Sequence, residues 1–373
     1  MKPIFFRYSS LVFFAGLLVL VSTIFISCQP QWVEPSHHEG IKPTPTGPWL
    51  PSGKIDLFTL GRVLFYDKNL SQDKSVSCGS CHQQAHGFAD NKAFSIGYGG
   101  LQTTRNAHSI LNTNNYHFWD GRINNYLNAI AVPLQTHSEL NMTDLDSLCK
   151  RLAAIYYYPD LFKQASPYST TDISPATVEL AISTFITSIN ASNSKYDQAY
   201  PSTQSGHSAT ATLSPQELNG MAIFNGKGKC SLCHSPTNDF GGKPGQFEDI
   251  GLDLVYNDLG RGAITNNGGD NGRFQVPALK NISLTAPYMH DGRFKTLSEV
   301  VDFFSNNINS SANLSSALTA HPIPDGNGGY LTGGTAVPVG LTATEKSDLV
   351  AFLLTLTDMS QINDVNYSDP FKH

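Results

Sequence analysis

Two short segments of this chain share one makeup. Cys78-Gly79-Ser80-Cys81-His82 and Cys230-Ser231-Leu232-Cys233-His234 each set two thiols three residues apart, followed at once by an imidazole. On a helical turn that spacing puts both thiols on one face. Two thiols on one face can bond the two vinyl groups of a single porphyrin, and the next residue, His, then points at the iron as proximal ligand. Two other chemistries use Cys-x-x-Cys. A zinc site wants further Cys or His pairs, and none has the spacing. A redox dithiol has no use for a His after each copy. Four of the six Cys lie in these motifs. The reading that uses all of them is covalent attachment of two haem c groups, with His82 and His234 as proximal iron ligands.

The N-terminus supports that reading, because c-type haem is attached outside the cytoplasm. Lys2 and Arg7 precede an apolar run from Leu11 to Ile26, which ends at Phe25-Ile26-Ser27-Cys28. This reads as a secretory signal over residues 1–27. A Cys just after a small residue resembles a bacterial lipobox, which makes Cys28 the lipid anchor of the mature chain. The alternative is an uncleaved anchor helix, since the run is close to bilayer-spanning length. Either way residues 29–373 lie outside the cytoplasm, and the expected location is the periplasmic side of a bacterial membrane, held by the lipid only. Residues 28–52 read as an extended tether, with six Pro between Gln29 and Pro51. Cys149 is left over. It sits in a helix-like stretch, 143–155, as a small buried residue, and no pair remains for a disulfide.

The elements around the motifs can be read from periodicity. Residues 57–66 and 215–224 carry apolar residues at helical spacing ahead of the two motifs. Ser214 is an N-cap for the second, with Pro215 at the first helical position and Glu217 three residues past the cap. Residues 344–357 form a strong terminal helix, expected to pack over the second haem. The loop 305–342 is long and rich in Gly, Asn and Ser. The halves also echo each other. Trp119-Asp120-Gly121-Arg122 after the first motif matches His290-Asp291-Gly292-Arg293 after the second. The expected fold is mainly α: two tandem cytochrome c-like haem domains with long loops, over 53–200 and 201–373, joined through a Ser/Thr/Ala-rich linker near 200–212. The net charge of −6, with no basic stretch, argues against nucleic acid and suits a small positively charged redox partner.

From about Leu57 to Thr357 the chain resembles the bacterial di-haem cytochrome c peroxidase and MauG family. The resemblance is carried by Gly61-Arg62-Val63-Leu64-Phe65, Arg105-Asn106, Phe118-Trp119-Asp120-Gly121-Arg122, Phe274-Gln275-Val276-Pro277, Thr285-Ala286-Pro287-Tyr288-Met289-His290-Asp291-Gly292 and the terminal helix. It implies a peroxide-reacting first haem, an electron-accepting second haem and one calcium ion between the domains. It further implies that Trp119 relays electrons between the haems and that Glu139 handles peroxide protons. Asn106, Thr285 and Pro287 match the calcium ligands, one side-chain oxygen and two backbone carbonyls.

Three positions depart from the pattern. Tyr98 falls where the family often has a distal His, so the first haem is expected to be open or easily opened. His86 and His108 are near in sequence but read as surface or loop residues. Ala129 replaces a distal-pocket Gln. Phe304 stands where the second haem takes a Met or Tyr ligand. Met289 is the candidate substitute, and a five-coordinate iron or a ligand from 305–342 is the alternative. The resemblance implies reduction of hydrogen peroxide to water, with electrons from a small cytochrome c or cupredoxin. A MauG-like oxidase acting on a protein or small molecule and a plain electron-transfer cytochrome are the alternatives. A homodimer is left open.

Overall fold

The first predicted helix forms where periodicity placed it. α1 runs Leu57–Tyr66, with the Asp56 carboxylate accepting the Thr59 N–H at 2.8 Å. Leu60, Val63 and Leu64 are at most 1% exposed, and burial of each contributes about 1.5–3 kcal/mol. The structure is a computed structural model and describes residues 48–50, 55–111, 118–166, 172–201, 208–238, 240–243 and 245–372. Cys28, the signal segment and nearly all of the tether fall outside the described residues.

α2 is the short turn Cys78–Cys81. α3 (Tyr126–Gln135), α4 (Leu145–Ala153) and α5 (Tyr158–Ala165) lead to α6 (Pro175–Ser188). Cys149 is buried on α4, as expected. α6 lies against α1 at Gly61, where a Cβ would come within 1.9 Å of Ala181 O. This pair and α4–α5 enclose one apolar core.

The second half begins with α7 (Lys195–Ala199) and α8 (Pro215–Asn225). The capping box read from the sequence is made, with Ser214 N–H donating to Glu217 Oε2 at 2.6 Å. β1 (Phe247–Glu248), α9 (Gly262–Thr265) and β2 (Phe274–Gln275) follow, and β1 pairs antiparallel with β2, Phe247 facing Gln275. α10 is Leu297–Asn306 and α11 is Ala343–Leu354. α11 packs on α8 at Gly220, where a Cβ would again come within 1.9 Å of a carbonyl oxygen, that of Asp348. Phe224, Phe240 and Phe352 centre this second core. Past the end of α10, the long loop to 342 holds a 3-10 turn, Ser316–Leu318, and two isolated antiparallel bridges, Ser315 with Thr332 and Pro324 with Tyr330.

The described architecture is therefore mainly helical, with one two-stranded ribbon. Both cores sit within one compact unit. The tail past α11 runs back to α1: Ser368 O accepts from Arg62 Nε and Tyr367 O from Tyr66 Oη, each at 2.7 Å. Among the described residues no helix is long and apolar enough to cross a membrane.

Candidate haem centres

Each Cys-x-x-Cys-His segment is held by the loop that follows it. His82 Nδ1 lies 3.0 Å from Phe88 O, and His234 Nδ1 lies 2.9 Å from Phe240 O. A carbonyl only accepts, so Nδ1 carries the proton in both rings and Nε2 is left as the free lone pair. This is how proteins aim an imidazole at a metal. Phe88 and Phe240 both have φ near +57°, so the same strained turn presents the same carbonyl twice. Burial pushes both imidazoles down to about 4, favouring the neutral, metal-binding form. Burial also pushes the Cys78 and Cys230 thiols up to about 12. All four thiols are free of disulfides.

The Asp-Gly-Arg turns are also duplicated in three dimensions. Asp120 Oδ1 accepts from Arg122 N–H at 3.1 Å, and Asp291 Oδ1 from Arg293 N–H at 3.2 Å. Gly121 and Gly292 have φ of +61° and +66°, which glycine adopts at little cost. Aligned on Asp-Gly-Arg, Met289 takes the place of Phe118, both with positive φ, and His290 that of Trp119.

Glu139 sits where α3 gives way to α4. Its backbone carbonyl accepts from Tyr98 N–H at 2.7 Å. Tyr98 thus braces the Glu139 turn through its backbone while its ring lies against His137, with centroids 5.9 Å apart. Burial raises the Glu139 carboxyl above its ordinary value and Arg122 opposes the rise. Its charge reaches both Cys78 and Cys81, where it adds to the effect of burial. The fold therefore brings Glu139, Arg122 and the first motif together. Ala129 is buried on α3.

Trp119 lies on the seam between the halves. Its Nε1 donates to Asn106 O at 2.9 Å, and its carbonyl accepts from Gln275 N–H at 2.8 Å. Arg105 ties this turn down through ion pairs to Asp120 and, at 2.6 Å, to Asp258. His108 packs edge-on against the indole, with centroids 5.5 Å apart, and its charge is felt at His82. His108 is thus a loop residue, one of the two places the sequence allowed, and the seam half-buries it. His86 is half-buried on a short 3-10 turn, 3.3 Å from Asn91 Nδ2.

A cavity of about 300 Å³ spans from Trp119 and His108 to the second motif. Cys230, Cys233 and His234 line it, with Met289 and Phe304 on its wall and Leu349 and Leu353 of α11 closing one side. The donor set and the largely apolar lining fit a haem attached at Cys230 and Cys233. The sequence reading of α11 over this site is met by that contact. Asn106, Thr285 and Pro287 line the same cavity. Asn106 Nδ2 is spent on Lys92 O at 3.0 Å, so the amide oxygen is the atom offered to a cation. Among the described residues no cluster of three or more His, Cys, Asp or Glu is placed to hold a metal. Any calcium here must rely on amide and carbonyl oxygens. Glu248 also lines the cavity. Its place there was invisible in the sequence, because only the β1–β2 pairing carries it there.

Residues 56–205 match a protein family described as di-haem cytochrome c peroxidase. Over 337 residues the chain is 30% identical to the cytochrome-c peroxidase IdrP2 of Pseudomonas sp. (strain SCT), covering 82% of each. It is 31% identical over 304 residues to the methylamine utilization protein MauG of Methylorubrum extorquens, covering 80% of this chain and 77% of that one. It is also similar to the solved structure of a MauG-like protein associated with microbial copper homeostasis. There the TM-score is 0.70 and the identity 31%, over 93% of this chain and 99% of the other.

Proposed function

Because the chain belongs to the di-haem cytochrome c peroxidase family, we propose that it reduces hydrogen peroxide to water with electrons from a small cytochrome c or cupredoxin. The balance is one peroxide, two electrons and two protons to two waters. Two tandem haem domains divide the work, over 53–200 and 201–373. Cys78, Cys81 and His82 hold the first haem, and Cys230, Cys233 and His234 the second. Haem, when bound, supplies an iron that takes peroxide or passes electrons.

The chain's own residues do the rest. Nδ1 of His82 and of His234 stays fixed to a backbone carbonyl, which aims each Nε2. Glu139 takes a proton from one peroxide oxygen and returns it to the other, so that the O–O bond breaks with water leaving. Arg122 opposes the rise that burial imposes on the Glu139 carboxyl, which favours the ionised form that the proton-accepting role requires. Trp119, between the two sites, relays electrons from second to first. Asn106, with the carbonyls of Thr285 and Pro287, binds calcium and fixes the seam at which Trp119 sits. Cys28 carries the lipid that anchors the exported protein to its membrane.

The observation that carries this reading is the grouping of Glu139 and Arg122 at the first motif. A plain electron carrier has no use for a half-buried acid there. Phe304 and Ala129 favour a second reading, a MauG-like oxidase that spends the same peroxide equivalents on a protein or small molecule. The test is Glu139→Gln in the haem-loaded protein, mixed rapidly with peroxide. Loss of the acid–base group slows the peroxide reaction about 10²–10⁴-fold. An unchanged rate removes Glu139 from the role.

A further inference from the structure

Arg261 reaches from the second half to the Trp119 turn of the first. It precedes α9, and its backbone N–H donates to Arg273 O at 2.8 Å. Its Nη1 donates to two consecutive carbonyls, Asp120 O at 3.1 Å and Gly121 O at 2.9 Å. The guanidinium lies 4.7 Å over the Phe247 ring. That ring in turn packs on Gly121, where a Cβ would come within 2.1 Å of it. The turn that carries Trp119 is thus held through two carbonyls and its glycine.

The charge of this clamp is not matched. Arg105 meets Asp120 and Asp258, and Arg122 shares Asp120 at 3.3 Å. No carboxylate pairs with Arg261 among the described residues. Three guanidinium groups and two carboxylates are tied to the turn, which leaves one positive charge there. That charge matters because of how the indole is bonded. Trp119 Nε1–H donates to a backbone carbonyl, Asn106 O, at 2.9 Å, and a carbonyl is no base. His108, packed edge-on against the indole, has Nδ1 engaged by Ser109 O at 2.8 Å. An electron taken from this indole therefore leaves its proton in place, and the ring becomes a radical cation. Like charges repel, most strongly where water is excluded, so the Arg261 charge opposes that loss.

We propose that Arg261 is a positioning residue for Trp119 and that its charge holds the indole reduced, so that Trp119 bridges the two haems without itself keeping the oxidising charge. The inference rests on the reading of Trp119 as the relay of a peroxide-reducing di-haem protein. Peroxide takes up two electrons and two protons to become two waters. When no donor is present those electrons come from the protein, and a residue that gives one up is left oxidised. Arg261 directs that loss away from Trp119, which keeps the relay intact for the next turnover.

The test uses the full, haem-loaded chain, with haem attachment first confirmed by mass. Wild type, R261Q and R261K are mixed with peroxide without any donor and freeze-quenched, and the free-radical region of the EPR spectrum is recorded. Lys keeps the charge but not the planar fork that grips two carbonyls, whereas Gln loses the charge. R261Q gives about tenfold more indole radical than wild type, R261K stays within about threefold of it, and adding W119F to R261Q abolishes the signal. R261M, uncharged and unbranched, repeats the comparison if R261Q loads haem poorly. Stopped-flow transfer between the haems slows in both R261Q and R261K, because each loosens the turn. Equal radical yields in R261Q and wild type, equal yields in R261Q and R261K, a signal that survives W119F, or an unaltered transfer rate in both variants overturns the proposal. A wild-type protein that leaves peroxide unreacted overturns the underlying reading, and this one with it.

Discussion

Replacing Gly61 with Ala sets two rules against each other. Helix propensity alone favours Ala over Gly by about 1 kcal/mol in a helix interior. The packing of α1 on α6 says the reverse. The new Cβ would lie 1.9 Å from Ala181 O and 2.9 Å from Phe185 Cβ, against 3.4 Å for ordinary contact. A backbone carbonyl cannot rotate away, so α1 must back off by about 1.5 Å, the difference between those two distances. A gap of that size forfeits much of the dispersion energy along the seam, and overpacking of this kind costs about 3 kcal/mol. The net is a loss of about 2 kcal/mol. It also reaches the first haem motif, because the ring of Tyr66 at the end of α1 lies against Gly79. Thermal unfolding of the haem-loaded protein, followed by helical circular dichroism, reads it out. G61A lowers the midpoint by about 4 °C or more, and G220A does the same through Asp348 O. G268A, with nothing within 4 Å of its new Cβ, leaves it unchanged. A G61A protein as stable as wild type would refute the packing argument.

Three further outcomes follow from the sites. The peroxide rate falls as pH falls through the Glu139 pKa, which burial has raised, because the protonated acid cannot accept a proton. A pH–rate profile of E139Q lacks that limb, and retention of the limb assigns it to another group. Trp119→Phe keeps the ring packing but loses the bond to Asn106 O and the more readily oxidised indole, so stopped-flow traces show slower transfer between haems while peroxide binding at the first is unaltered. Chelation of calcium loosens the seam around Asn106, Thr285 and Pro287. It lowers the thermal midpoint and slows inter-haem transfer, both restored by added calcium, and a chelator without effect on either removes the ion from the account.

What the sequence made legible is what is local. α1 spans the stretch that periodicity marked, and α8 begins where the Ser214 cap put it and ends one residue further on, because their apolar faces and the Ser214–Glu217 box are local features. The Cys-x-x-Cys-His motifs are local for the same reason. The duplicated Asp-Gly-Arg turns were visible too, though not that Met289 and Phe118 would share a left-handed backbone. What the sequence concealed is long-range. His108 was read as a surface or loop residue, and its packing against the Trp119 indole is a contact no local pattern announces. Arg122 was read as part of a turn, and its approach to Glu139 depends on where α3 ends. Glu248 carries no sequence signal at all. It reaches the second cavity because β1 pairs with β2 and because the 305–342 loop brings Tyr330 and Ser315 over it. The residues proposed for calcium are recognisable only through resemblance, since carbonyl and amide ligands leave no acidic cluster to read.

The central claim is that two haems and Glu139 together reduce peroxide at the expense of a protein electron donor. It is tested most directly by adding measured amounts of hydrogen peroxide to the purified di-haem protein and an excess of reduced cytochrome c. The account predicts two equivalents of cytochrome c oxidised for each peroxide consumed, with many turnovers per protein molecule. Peroxide left unconsumed, or no cytochrome c oxidised even after the protein has first been reduced, would contradict it.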